Sequence, residues 1–246
     1  MSSQDLDIGE QAISKAVKTG LESQFDAVES LDVEIRTDPI KLAQGQVDKA
    51  VIEGKGLVIQ NDLRTESLKL EADSVDISMM QVALGKIALD QSADATAQVV
   101  LKANDLQEAF ASDYVKRKLR GQKIELPSGE RVTTDVSNVQ FTIPEDGKIA
   151  LEADVMLIEK VETHHIAFSA KPQLTDGGQV ITLVDLDYDE ATNDMPELTQ
   201  SLVDSTEDLL DLRNFEVGDM SLQFERLEVK SNELIIHAKA NVRSFS

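Results

Sequence analysis

The sequence predicts an α+β protein in which helices cover one face of a curved antiparallel β-sheet. Three observations carry the α+β expectation. Long segments alternate apolar and polar residues with a period of two, as in Leu31, Val33 and Ile35 against Asp32, Glu34 and Arg36. These segments follow one another closely, which favours antiparallel meanders over parallel crossovers. Segments with the three-and-four spacing of an amphipathic helix are fewer and stand between the strand groups, so their apolar sides are the available cover for a sheet face.

In chain order, a helix is expected over residues 7–29. Ile8, Ala12, Ile13, Ala16, Val17, Leu21, Phe25 and Val28 form its apolar side, and Asp5 or Asp7 can cap its start. After the strand at Leu31–Ile35 comes a longer one from Val47 to Ile59, in which Gly54 and Gly56 predict a bulge or sharp bend. Leu68, Leu70 and Ala72 mark the next. Ser78 to Gly85 reads as one or two helical turns stopped by Gly85, followed by a short strand at Ile87 and Leu89. Ala95, Ala97, Val99 and Leu101 make a further one-faced strand. A second helix begins at Asn104, with Asn104 and Gln107 at capping-box spacing. Leu106, Ala109, Phe110 and Tyr114 are its apolar face, cations fill its last turn, and Gly121 ends it.

The second half repeats the pattern. Strands are expected over Arg131–Ile143, Lys148–Ile158, Glu162–Ala170 and Gln179–Tyr188, with a turn at Asp176-Gly177-Gly178. A third helix begins at Asp194, with Asp194 and Glu197 at capping-box spacing, Pro196 in its first turn and Leu198, Leu202, Leu209 and Leu212 on its apolar side. Two terminal strands, Met220–Val229 and Glu233–Val242, are joined by a turn at Lys230-Ser231-Asn232. In the first of them the apolar residues change face, which predicts a bulge near Glu225–Arg226. One domain over 1–246 is expected, with a strand-rich second half over 123–242.

Composition narrows the function. The net charge of −22 repels nucleic acid and anionic lipid headgroups at long range. Trp is absent and aromatics are 4%, so stacking platforms for bases are scarce. With no Cys, disulfides, thiolate metal sites and Cys nucleophiles are excluded. The first residues are acidic and lack an apolar run, and no stretch approaches the roughly 20 apolar residues of a membrane-spanning helix. The expectation is a cytoplasmic protein that associates peripherally with membrane.

Motifs for catalysis are missing. There is no nucleophile elbow, no P-loop and no dinucleotide glycine fingerprint. His164 and His165 are adjacent on a strand, so they point to opposite faces and cannot chelate one ion together. Asp185, Asp187 and Asp189 share the face of a predicted strand and are the sharpest acidic cluster, yet the EF-hand pattern fails because Glu190 and Pro196 stand where glycine and glutamate are needed. A solvated strand face is the expected reading, with no metal, no cofactor and no enzyme activity. Lys116, Arg117, Lys118 and Arg120 form a basic turn against this acidic background. Their candidate role is contact with a phosphate headgroup, and helix-dipole compensation is the plainer reading.

Residues 38–115 carry a set of phrases: Pro39-Ile-Lys-Leu-Ala-Gln-Gly45, Ile52-Glu-Gly-Lys-Gly-Leu-Val-Ile-Gln60, Leu63-Arg-Thr-Glu-Ser-Leu-Lys-Leu70 and Asp73-Ser-Val-Asp-Ile77. Leu84-Gly-Lys-Ile-Ala-Leu89, Ala95 to Leu101 and Asp105-Leu-Gln-Glu-Ala-Phe110, with Ser112 and Tyr114, complete it. Together they resemble the bacterial LmeA-like phospholipid-binding family, formerly a domain of unknown function. The resemblance implies non-catalytic binding of a phospholipid or other acyl-chain lipid, in lipid transfer or membrane-lipid homeostasis, on a strongly curved antiparallel β-sheet wrapped around helices, similar to tubular lipid-binding folds. Founding members of the family carry a signal or anchor, whereas this sequence opens on an acidic helical segment.

The resemblance supplies no binding motif at residue level, so the candidate site comes from the strands. Ile149, Leu151, Val155 and Leu157 lie on one face of a strand and are the candidate groove lining, with Met79 and Met80 at an adaptable mouth. The alternative is an ordinary dry core in an acidic protein–protein interaction or assembly module.

Overall fold

In a computed structural model the chain forms two antiparallel sheets with helices against them, one sheet curled strongly into a half-barrel. The structure describes residues 8–59, 63–83, 88–144, 147–178, 180–188, 195–210 and 220–244. The elements are α1 (Ile8–Glu22), β1 (Ser30–Arg36), α2 (Pro39–Ala43), β2 (Gln46–Ile59), β3 (Leu63–Asp76), α3 (Met79–Ala83), β4 (Ala88–Lys102), α4 (Ala103–Phe110), α5 (Asp113–Leu119), β5 (Gln122–Glu125), β6 (Arg131–Thr142), β7 (Ile149–Leu157), β8 (Glu162–Thr175), β9 (Val180–Asp187), α6 (Pro196–Leu209), β10 (Met220–Lys230) and β11 (Glu233–Ser244). Two compact units result. The first comprises residues 1–100, 215–226 and 236–246, and the second comprises 101–214 and 227–235.

The first unit holds the sheet β1-β2-β3-β4-β11-β10. α1 packs on β1 and buries Ile13 and Val17 in a core with Leu31, Ile35, Leu42, Val47, Ile52, Leu70 and Val75. The spacing of Ile13 and Val17 puts both on one helix face, as the periodicity requires. Between β1 and β3, β2 keeps one pairing register along its length, so Gly54 and Gly56 do not make a bulge. Gly56 has φ +56°, and the following Leu57 is buried on the face that Gly54 occupies. A Cβ on Gly54 would lie 2.7 Å from Leu57 Cδ1, so the side chain of Leu57 fills the space a glycine leaves. Asp38 caps α2 by accepting a hydrogen bond of 2.8 Å from the amide of Ile40, and Pro39 opens the helix.

The second unit holds the sheet β5-β6-β7-β8-β9. Along β7 the residues Ile149, Leu151, Ala153, Val155 and Leu157 are buried, alternating with more exposed neighbours. α4 packs on β6, where Phe110 stacks on Phe141 with ring centroids 5.1 Å apart. α6 packs against β5, β8 and β9 through Leu198, Leu202 and Val203.

Five sequence expectations are corrected in detail. The expected first helix stops at Glu22, so Phe25 and Val28 lie beyond it. The expected second helix is two, because Ser112 leaves the helical conformation and its hydroxyl accepts from the amide of Val115 to start α5. Asn104 does not cap α4, which starts at Ala103 after Lys102. Gln107 serves the sheet instead. Its amide donates to Val139 O at 3.0 Å and its carbonyl accepts from Phe141 N at 2.5 Å, where β6 bulges away from β7 between Ser137 and Gln140. β4 is one continuous strand from Ala88, not a short strand and a longer one. β5 was not expected, since its four residues carry no clear alternation. Glu225 and Arg226 are consecutive exposed residues after buried Phe224, where the change of face was predicted. Gly85, Ile87, Asp189, Asp194 and Leu212 lie outside the described residues.

Candidate functional site

The candidate groove residues of β7 form the floor of the second unit's interior. Ile149, Leu151, Val155 and Leu157 are between 0% and 3% exposed. On β8, Phe168 pairs opposite Leu151, Ile166 opposite Ala153 and His164 opposite Val155, which extends the same face. The helices cover this face. At the contact, Val155, Val136, Leu119, Leu198 and Leu202 surround a void of about 10 Å³. That volume is near the minimum for a single water and far below what an acyl chain fills. The face is therefore a packed core in this conformation.

The seat of α6 is partly polar. Thr199 and Thr206 are buried on its inner side, and Thr206 returns its hydroxyl to Leu202 O at 2.7 Å. Ser201 and Ser205 border the void together with Thr134 and Gln122. At its far end, Glu207 accepts a hydrogen bond of 2.6 Å from the amide of Leu183 on β9.

The basic turn lies beside this region. α5 contacts α6, and Leu119 of α5 borders the same void as Val155. Lys116, Arg117, Lys118 and Arg120 are exposed. Arg120 pairs with Asp135 at 3.2 Å, and the Lys118 ammonium stands 5.8 Å from the ring centroid of Tyr114. Lys116 and Arg117 make no ion pair among the described residues. Eight of the candidate residues, those of α5 with its following Arg120 and those of β7, thus belong to the second unit, and Met79 and Met80 belong to the first.

A depression of about 420 Å³ in the first unit runs from the end of α1 to β1. Phe25, Val28 and Leu31 give it an apolar part, but its lining sets Glu22, Asp26, Glu29 and Asp32 against Lys18, with Arg64 paired to Glu29 at 2.7 Å. That carboxylate excess repels a phosphate group.

The remaining polar candidates are engaged locally. Asp185 pairs with Lys171 at 2.9 Å, and Asp187 lies 3.7 Å from Lys148. A left-handed Asp185 (φ +52°) and a register shift between Ser169 and Lys171 interrupt the expected alternation there. On the outer face of the second sheet, Asn138 Nδ2 donates to Asp154 at 2.7 Å and His165 Nδ1 lies 3.0 Å from the same carboxylate. The Asn138 amide, and after it the His165 ring, hold the Asp154 carboxyl below its usual range. A depressed carboxyl stabilises the fold above its unfolded pKa, and that contribution is lost as pH falls through the folded value. An NMR titration is expected to place the Asp154 midpoint below that of an ordinary aspartate. Asn138→Gly, which suits φ +51° and removes the donor, moves it upward.

The sequence profile of a known family matches residues 6–239, nearly the whole chain. The protein belongs to the LmeA-like phospholipid-binding family. No curated protein and no solved structure matches the chain. The LmeA-like family is named for phospholipid binding, which implies a binding rather than a catalytic role. Among the described residues no helix is long and apolar enough to cross a membrane. Sequence reasoning missed the polar seat of α6, because it placed only leucines on the inner side and left Thr199, Ser201, Ser205 and Thr206 unassigned. Their spacing with Leu198 and Leu202 was the available signal.

Proposed function

We propose that this LmeA-like protein binds a phospholipid or other acyl-chain lipid without chemical change, in lipid transfer or membrane-lipid homeostasis. The acyl chain lies on the β7 face of Ile149, Leu151, Val155 and Leu157, and Lys116, Arg117, Lys118 and Arg120 hold the headgroup. The observation that carries this reading is the mixed seat of α6. A helix that covers an apolar sheet face partly with hydroxyls loses less apolar burial on displacement than one seated on leucines alone. An acyl chain offers the floor a wholly apolar replacement, each buried CH₂ contributing about 0.8 kcal/mol. α5, which carries three of these cations, borders the same void through Leu119, which suits one amphiphilic ligand in one unit.

Protein purified from its own host and examined by native mass spectrometry is expected to carry phospholipid, and to take up fluorescent phospholipid from vesicles. Absence of both overturns the lipid reading. Replacing Lys116, Arg117, Lys118 and Arg120 together by Gln should lower uptake several-fold with the far-ultraviolet circular dichroism unchanged. Full uptake by that variant retires the headgroup assignment. The close packing of the β7 face favours a second reading, an acidic interaction module with a dry core, for which neither measurement detects lipid.

A further inference from the structure

Large apolar side chains gather in the open at one end of the first unit. Gly9, in the first turn of α1, lies so close to Leu42 of α2 that a Cβ would stand 2.9 Å from Leu42 Cδ2. In the same turn Glu10 accepts a hydrogen bond of 2.8 Å from the amide of Thr37, just before the cap of α2. Gly45 ends α2, accepts from the amide of Ile77 at 2.7 Å, and sits where a Cβ would be 3.3 Å from Met79 Cγ of α3. The starts of α1 and α3 and the whole of α2 therefore meet around Leu42 and Gly45. Each exposes a large apolar residue: Ile8 is 82% exposed, Ile40 71% and Met80 75%, with Met79 at 38%.

We propose that this end docks the protein on a lipid surface, with Ile8, Ile40, Met79 and Met80 entering the zone between headgroups and acyl chains. The inference rests on the phospholipid-binding reading but concerns a different surface. Two features select this occupant. A stable protein dimer needs about 20 residues a side, many more than this patch offers, whereas a few aliphatic side chains suffice for shallow, reversible insertion. The charges on and beside α2 also bear on this: Lys41 pairs with Asp48 at 2.7 Å, while Asp38 caps the helix as a carboxylate. This balance suits a zwitterionic rather than an anionic lipid surface, as does the acidic chain as a whole. Unbranched methionine adapts to the irregular packing of lipid.

Flotation of the full chain with phosphatidylcholine vesicles tests this. The wild type is expected to float with the vesicles, and Ile8→Asp/Ile40→Asp to lower the bound fraction at least tenfold with its melting temperature unchanged, since both side chains are exposed. Wild-type protein left at the bottom of the gradient, or a variant that floats equally well, overturns docking. So does a wild-type dimer in sedimentation that the variant converts to monomer, because the patch is then a contact between copies. A short-chain phospholipid supplied as monomers separates this from the binding reading. The variant should bind it as the wild type does; if neither binds it while the wild type still floats, docking stands and the acyl site falls.

Discussion

Gly45→Ala is expected to destabilise the first unit by about 3 kcal/mol, combining left-handed strain of about 1–2 kcal/mol with a backbone clash of similar size. Gly45 has φ +81°, the left-handed region that a Cβ disfavours. The added methyl would also overlap the carbonyl oxygen of Ile77. That oxygen is backbone and cannot swing away. The neighbouring amide of Ile77 donates to Gly45 O at 2.7 Å, so relief of the clash pulls on the bond that ties α2 to the end of β3. Gly121 is the internal control. Its φ is +72° but nothing lies within 4 Å of its Cβ position, so Gly121→Ala meets the backbone strain alone, about 1–2 kcal/mol. Urea unfolding followed by circular dichroism measures both. Equal losses at the two glycines would remove the clash with Ile77 from the explanation.

Leu151→Ala should cost about 3 kcal/mol, within the roughly 2–5 kcal/mol of buried leucine truncations. Leu151 is 1% exposed at the centre of β7, opposite Phe168 and next to Phe141 across the β6 pairing. Strands on both sides and helices above leave the site little freedom to collapse, so most of the cavity persists. The same truncation at Met80, 75% exposed, should stay within about 0.5 kcal/mol. Lipid-free protein gives the decisive comparison. A loss under about 1 kcal/mol at Leu151 in the absence of lipid would mean that the β7 face is loosely covered, contrary to the packing described.

Much of the fold can be read from alternation. The face of a residue in β1, β4 or β7 follows from its neighbours, because successive side chains on a strand point opposite ways. Leu31 and Ile35, or Ile149 and Leu157, declare themselves interior by this rule alone. Alternation says nothing about partners. That β4 pairs with β11, across more than a hundred residues of chain, is absent from the local pattern. Nor does it give the break between α4 and α5, since Leu106, Phe110 and Tyr114 continue a helical spacing through Ser112. Tyr114 is 45% exposed once that turn is broken. Gln107 looked like a capping residue because capping depends on residue type and spacing, whereas its partners Val139 and Phe141 become available only when β6 bulges.

The candidate site divides along the same line. The sequence by itself determined that Ile149, Leu151, Val155 and Leu157 share one apolar face, that Lys116 to Arg120 concentrate cations at a helix end, and that the chain resembles a phospholipid-binding family. It did so because periodicity, charge and short phrases are properties of neighbours along the chain. Only the tertiary structure decided what lies over that face: α6, with Thr199 and Thr206 turned inward beside Leu198 and Leu202. Likewise, only folding gathered Ile8, Ile40, Met79 and Met80 around Leu42 and Gly45. Coverage and exposure depend on which distant segments meet, and burial is fixed by that meeting rather than by any residue's own hydropathy.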